Sequence, residues 1–185
     1  MKRLLVVTFA IASLAPQLIA QQDMKATVKP APNPANPVSN VLRQQLEGRS
    51  KNMIAAAEKM PAEKYAYHPT PEQITFGHLI MHIAGSNGNL CSALAGATAP
   101  PSDLKDTDSK EKLVKALKDS FDFCSTSLAK VDDSKLSDEL TIFNRKITRA
   151  RAMFSLSNDW ADHYAEEAMY LRLNGMLPPT AQPKK

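Results

Sequence analysis

What this sequence lacks bounds it first. Aromatic residues make up only 6 % of the 185 residues and β-branched runs are short, so there is little to build a sheet from. Outside the N-terminus no stretch is long and apolar enough to span a membrane. There is no nucleophile elbow, phosphate-binding loop or dinucleotide fingerprint, and no internal repeat. No basic stripe is interleaved with aromatics, so nucleic acid is not expected as a partner. The only two cysteines, Cys91 and Cys124, match no zinc spacing. Proline is absent from three windows, residues 38–60, 72–99 and 102–177. An interior proline costs a helix about 3 kcal/mol, so these windows are where helices belong.

What is present favours helix. Ala, Leu, Lys, Glu and Met dominate, and apolar residues reach 43 %, enough for one buried core in a chain too short for two ordinary domains. Lys2 and Arg3 precede an apolar run, Leu4 to Leu14, that is too short to span a bilayer as a mature helix. The pattern predicts a signal peptide over residues 1–20 and export to the periplasm or beyond. Cleavage after Ala20 is expected, although Leu18 fits an A-x-A site poorly and an uncleaved anchor is the alternative. Removing that segment leaves 21 Lys+Arg against 19 Asp+Glu, a nearly balanced mature chain. Residues 21–37 carry Pro30, Pro32, Pro34 and Pro37 and read as a flexible, Pro-rich linker. Two cysteines in an exported domain point to a Cys91–Cys124 disulfide between the second and third helices, with two buried free thiols as the alternative.

The spacing predicts four helices. The first spans about Ser39 to Met60, with Val41, Leu42, Leu46, Met53, Ile54 and Ala57 on its apolar side. The second starts near Thr75 and runs towards Ala95, with a kink or break expected at Gly85 and Gly88. For the third, Asp108 and Glu111 form a capping-box-like start, and the helix runs to about Lys130. A polar connection follows, in which Leu140 to Phe143 is a short extended piece. The fourth runs from about Thr148 to Asn174, closed by Gly175 and Pro178-Pro179. Four amphipathic helices over residues 38–179, followed by a tail at 180–185, pack most simply as an all-α four-helix bundle.

At about 100° per residue, His82 lies roughly 60° from Leu79, at the edge of the second helix's apolar stripe. His78 lies roughly 160° from Phe76, on the side expected to meet solvent. Asp159 and His163 are four apart on the fourth helix and share a face with Leu156, Glu167 and Tyr170. A carboxylate and an imidazole so placed can hold one ion, with His82 from a facing helix as third ligand. The same pair also reads as an ordinary surface hydrogen bond, and His82 as a boundary residue.

The string Phe76-Gly77-His78-Leu79-Ile80-Met81-His82-Ile83-Ala84, after a Pro-Thr-Pro-Glu-Gln loop, resembles the second helix of the DinB-like family. The string His163-Tyr164-Ala165-Glu166 through Tyr170-Leu171-Arg172-Leu173-Asn174-Gly175, followed by Pro178-Pro179, resembles the end of its last helix. The resemblance covers about Val38 to Pro179 and implies a four-helix bundle with a site of three histidines, one on the second helix and two in an H-x-x-x-H motif on the fourth. By position His82 and His163 match the first and last. Asp159 stands where the family usually has His, which keeps a ligand but changes its chemistry. Two imidazoles and a carboxylate suit zinc above all, and also nickel, iron or manganese.

The resemblance implies a metal-dependent hydrolase or transferase acting on a small molecule, with Glu166 or Glu167 as base or as partner to a ligand. For these two glutamates a solvated helix face is the competing reading. Characterised relatives use their ion to activate a small thiol, a role that fits an exported, disulfide-bearing protein poorly. The other expectations are a non-catalytic exported binding protein, with or without metal, and a purely structural or interaction bundle, with a homodimer as one form it could take. No stable membrane insertion is expected once the signal is removed.

Overall fold

Proline and polar caps determine where each helix begins. The computed structural model describes residues 35–183; the expected signal peptide, most of the expected Pro-rich linker and the last two residues lie outside the described residues. Helix α1 is Pro37–Lys59, with proline in its first turn, where the missing N–H is not needed. Its free amides are answered from far along the chain. The Asp133 carboxylate accepts from Val38 N at 2.8 Å and from Ser39 N at 2.9 Å.

Helix α2 is Phe76–Ala95, capped by the Thr75 hydroxyl accepting from His78 N at 3.0 Å and ended by Gly96 at φ 64°. The expected break at Gly85 and Gly88 does not occur: the helix is continuous. No neighbouring atom comes within 4 Å of a Cβ built at either glycine, so neither marks a close approach. The apolar face of α2, through Ile83, Leu90 and Leu94, holds it instead.

Helix α3 is Lys110–Leu128. Its cap is Ser109, whose hydroxyl accepts from Lys112 N at 3.3 Å, and not Asp108. The Asp108 carboxylate is engaged one residue earlier, by Lys105 N at 2.8 Å and Lys112 Nζ at 3.0 Å. The connection to the last helix contains a hairpin, β1 (Glu139–Ile142) paired antiparallel with β2 (Arg145–Thr148). Phe143 and Asn144 both take positive φ, the signature of a two-residue type I′ turn. The sequence pattern anticipated β1 and missed β2, which is too polar to show as a strand.

Helix α4 is Arg149–Leu173, capped by Thr148. It ends in a Schellman motif: Met176 N donates to Leu171 O at 2.9 Å and Gly175 N to Arg172 O at 3.0 Å, with Gly175 at φ 74°.

Cross-links between helices give their directions. Asn87 with Ser120 and Cys91 with Cys124 pair α2 and α3 in parallel. Leu94 with Arg149, Asn87 with Trp160 and Ile74 with Tyr170 set α4 antiparallel to α2. Arg43 with Leu128, and Glu58 with Lys118, set α1 antiparallel to α3. The bundle is therefore up-down-down-up, and the crossover from α2 to α3 packs hard on α2. A Cβ on Gly77 would sit 2.6 Å from the Asp106 carbonyl oxygen, so that position requires glycine. The core holds Trp160, Phe76, Met53, Met60, Leu79, Ile80 and Ile83 with essentially no exposure. The structure joins Cys91 and Cys124 in a disulfide, both buried, with Cα atoms 5.2 Å apart.

Candidate metal site

On α4 the apolar stripe runs through Leu156, Trp160 and Tyr164. Asp159 and His163 each stand one residue before a buried aromatic, which places them at the stripe's edge rather than on the outer face. On α2, His82 stands in the same relation to Ile83. The two edges meet. One ligand atom from each of His82, Asp159 and His163 lies within 4.8 Å of the others. The His82 and His163 rings approach edge to face, their centroids 4.8 Å apart. His82 is exposed, whereas the His163 and Asp159 side chains are 17 % and 20 % exposed. The site is open on the α2 side and sheltered on the α4 side.

The hydrogen bonds around His163 sort its two nitrogens. Nδ1 lies 2.8 Å from Glu166 Oε2, a short charge-assisted bond in which the imidazole donates. Nε2 lies 3.4 Å from Asp159 Oδ1, an ion-pair distance and long for a hydrogen bond. Glu166 thus fixes the ring with Nε2 turned towards Asp159 and His82. The Asp159 carboxylate beside it, opposed by burial and aided by Glu166, pushes the His163 pKa up to about 9.

The second Asp159 oxygen has no answer. Oδ2 is shut off from water and has no hydrogen-bond partner. A buried carboxylate oxygen left unpaired is costly, and a cation between Asp159 and the two imidazoles would satisfy it. The donor set, two imidazoles and a carboxylate, fits a divalent ion.

The remaining residues singled out by sequence lie as follows. His78 points away from the cluster and pairs with Asp106, Nδ1 to Oδ2 3.4 Å. Glu166 is the partner of His163. Glu167 is fully buried, both its oxygens lack a partner, and burial raises its pKa well above the carboxylate range. It is a core carboxyl and is not one of the three side chains whose ligand atoms cluster. Tyr170 is buried, donates to Ile74 O at 2.5 Å, and packs edge to face on Tyr67.

Sequence reasoning missed two polar side chains in the core. Trp160 Nε1 donates to Asn87 Oδ1 at 2.7 Å, and Asn87 Nδ2 donates to Ser120 Oγ at 3.0 Å. The available signal was an asparagine in the apolar stripe, four residues after Ile83 and three before Leu90. An apolar groove of about 240 Å³ lies elsewhere, between α1 and α4, lined by Val38, Val41, Leu42, Met153 and Phe154, and it carries no titratable group.

A mostly helical four-helix bundle with one short hairpin and a histidine–carboxylate cluster between its second and fourth helices defines a class. The chain belongs to the DinB superfamily, whose family model matches residues 45–166, more than half of it. A DinB-like protein from Bacillus subtilis is similar in structure, with a TM-score of 0.63 at 20 % identity, covering 79 % of this chain and all of that one. A DinB-like protein from Bacillus cereus gives a TM-score of 0.63 at 15 % identity, covering 76 % of this chain and 95 % of that chain. A conserved protein from Enterococcus faecalis gives 0.58 at 16 %, with 74 % and 96 % covered. At these identities the likeness shows the fold. No curated protein matches the chain.

Proposed function

We propose that this protein binds a divalent metal ion through His82, Asp159 and His163 and uses it as a metal-dependent hydrolase or transferase on a small molecule. The observation that carries the reading is the water-excluded, unpaired Asp159 Oδ2, which lies in a cluster whose ligand atoms fall within 4.8 Å. When bound, such an ion supplies Lewis-acid polarisation of a carbonyl, or a lowered pKa for a water or thiol. The protein's part is to hold it. Asp159 gives a carboxylate that the α4 core keeps in place. His163 gives Nε2, with Nδ1 engaged by Glu166, the carboxylate–histidine arrangement that fixes tautomer and raises basicity. His82 gives an imidazole from the open side, where substrate has access. Zinc is the first choice of ion; nickel, iron and manganese suit the same donors.

One observation favours a second reading, a non-catalytic bundle. His163 lies between two carboxylates and can remain an imidazolium paired to both. Elemental analysis of the purified protein separates the two. About one ion per chain supports the metal site; none after loading supports the ion-paired bundle. A panel of ester and thiol substrates with metal-loaded protein then separates an enzyme from a binding protein.

The reading includes export. Lys2, Arg3 and the apolar run after them support a cleaved signal, and a buried disulfide suits an oxidising compartment. No helix among the described residues is long and apolar enough to cross a membrane. Intact mass of natively expressed protein, short by about 20 residues, tests this.

A further inference from the structure

The metal reading leaves unexplained why the bundle's one tryptophan and an asparagine are hydrogen-bonded in its driest part. Trp160 and Asn87 are both without exposure, and the N–H···O bond between them is 2.7 Å. Trp160 follows Asp159 directly and precedes His163 by three residues. Asn87 follows Ser86, whose hydroxyl lies 3.5 Å from His82 Nε2. The bond therefore ties α2 to α4 within about a turn and a half of each ligand-bearing position.

Apolar contact alone discriminates less sharply between neighbouring registers than a hydrogen bond does, because the hydrophobic effect is non-directional. A sliding step of one turn, about 5.4 Å, would exceed the 4.8 Å that contains the three ligand atoms. A single buried polar pair penalises such a slip, since either partner moved away is left unpaired in the core. Asn87 completes its own bonding through Ser120, on the helix that the disulfide ties to α2.

We infer that Asn87 and Trp160 are positioning residues: their hydrogen bond sets the register of α2 against α4 and so brings His82 to Asp159 and His163. The inference rests on the metal reading. Trp160→Phe keeps an aromatic ring but removes the N–H, and should weaken zinc binding, measured by chelator competition, roughly tenfold or more, as for other residues that support metal ligands. Ser120→Ala cuts only the α3 end of the network and should lower thermal stability while leaving zinc affinity unchanged.

A purely structural role would lower stability in both variants and change zinc affinity in neither, and that result overturns the inference. The single tryptophan gives a second readout in the wild-type protein. Its indole N–H resonance should be protected from exchange before zinc is added and should shift when zinc binds. An indole signal that exchanges freely, or does not move, also overturns the inference, whether or not Trp160→Phe folds. Wild-type protein that takes up no zinc would instead defeat the metal reading itself, on which the inference depends.

Discussion

At His163 one imidazole answers to two carboxylates, and its proton competes with any ion for Nε2. The metal-free protein holds that proton up to about pH 9, chiefly because of Asp159. The sign follows from the direction of the shift. A folded pKa above the unfolded value of about 6.5 stabilises the metal-free protein fully below that value, and the contribution is lost as pH rises towards 9. Metal binding runs the other way, since one proton must leave. Zinc affinity should rise about tenfold per pH unit between roughly pH 6 and pH 8. Calorimetry in buffers of different ionisation enthalpy should show about one proton released per ion. A pH-independent affinity would mean that His163 is not a ligand.

Glu167 is the opposite case, a carboxyl in the core with nothing to answer it. Its raised pKa means the folded state binds the proton more tightly than the unfolded state. This group's effect on stability therefore worsens as pH rises above the usual carboxylate range. Glu167→Leu should stabilise the metal-free protein at neutral pH by about 1–3 kcal/mol, the cost of a buried unpaired polar group. Denaturant melts of the two proteins check this, and the gain should shrink in acid. Helical spacing placed Glu167 on the face of Asp159 and His163 and could not say that the face is dry at that depth. Spacing did place Asp159 and His163 together, because residues at i and i+4 share a face whatever packs against them.

Among the elements, the boundaries that could be read from sequence were those set by one residue's chemistry. Thr75 and Thr148 cap α2 and α4, and Gly175 closes α4, because a hydroxyl or a positive φ is needed at those points. Boundaries set by competition were not legible. Ser109 and Asp108 are both good caps, and the choice fell to Ser109 because Lys105 and Lys112 already engage Asp108. The second hairpin strand has no apolar alternation; its pairing, Glu139 with Thr148 through Ile142 with Arg145, follows from the two-residue turn. Thr148 serves twice, as the last strand residue and as the α4 cap. Thr148→Ala should cost about 1 kcal/mol in denaturant unfolding, typical of a lost cap. A change within error would show that α4 nucleates without it.

On the scale of the molecule, an up-down-down-up bundle places α2 and α4 antiparallel side by side, so that side chains from the second and last helices, His82 with Asp159 and His163, meet at one level. Family resemblance anticipated that the second and fourth helices carry the site; composition and periodicity predicted four helices, and the helix directions were not legible. The disulfide fastens α2 to α3. Cys91 and Cys124 are 33 residues apart, and in the chain-entropy model the closed loop contributes about 3–4 kcal/mol. The double variant Cys91→Ala/Cys124→Ala should lose about that much stability on denaturant unfolding yet keep its metal, because no ligand depends on the bridge. Loss of metal from a folded double variant would show that the bridge shapes the site.

The central claim is that one ion sits among His82, Asp159 and His163, and metal stoichiometry of four proteins prepared side by side tests it most directly. Wild-type protein should carry about one ion per chain, and Asp159→Ala and His163→Ala essentially none, since two protein ligands do not make a stable site. His78→Ala should match wild type, because His78 faces Asp106. Metal lost from His78→Ala but kept by Asp159→Ala, or a wild-type protein that remains metal-free after loading, would contradict the account.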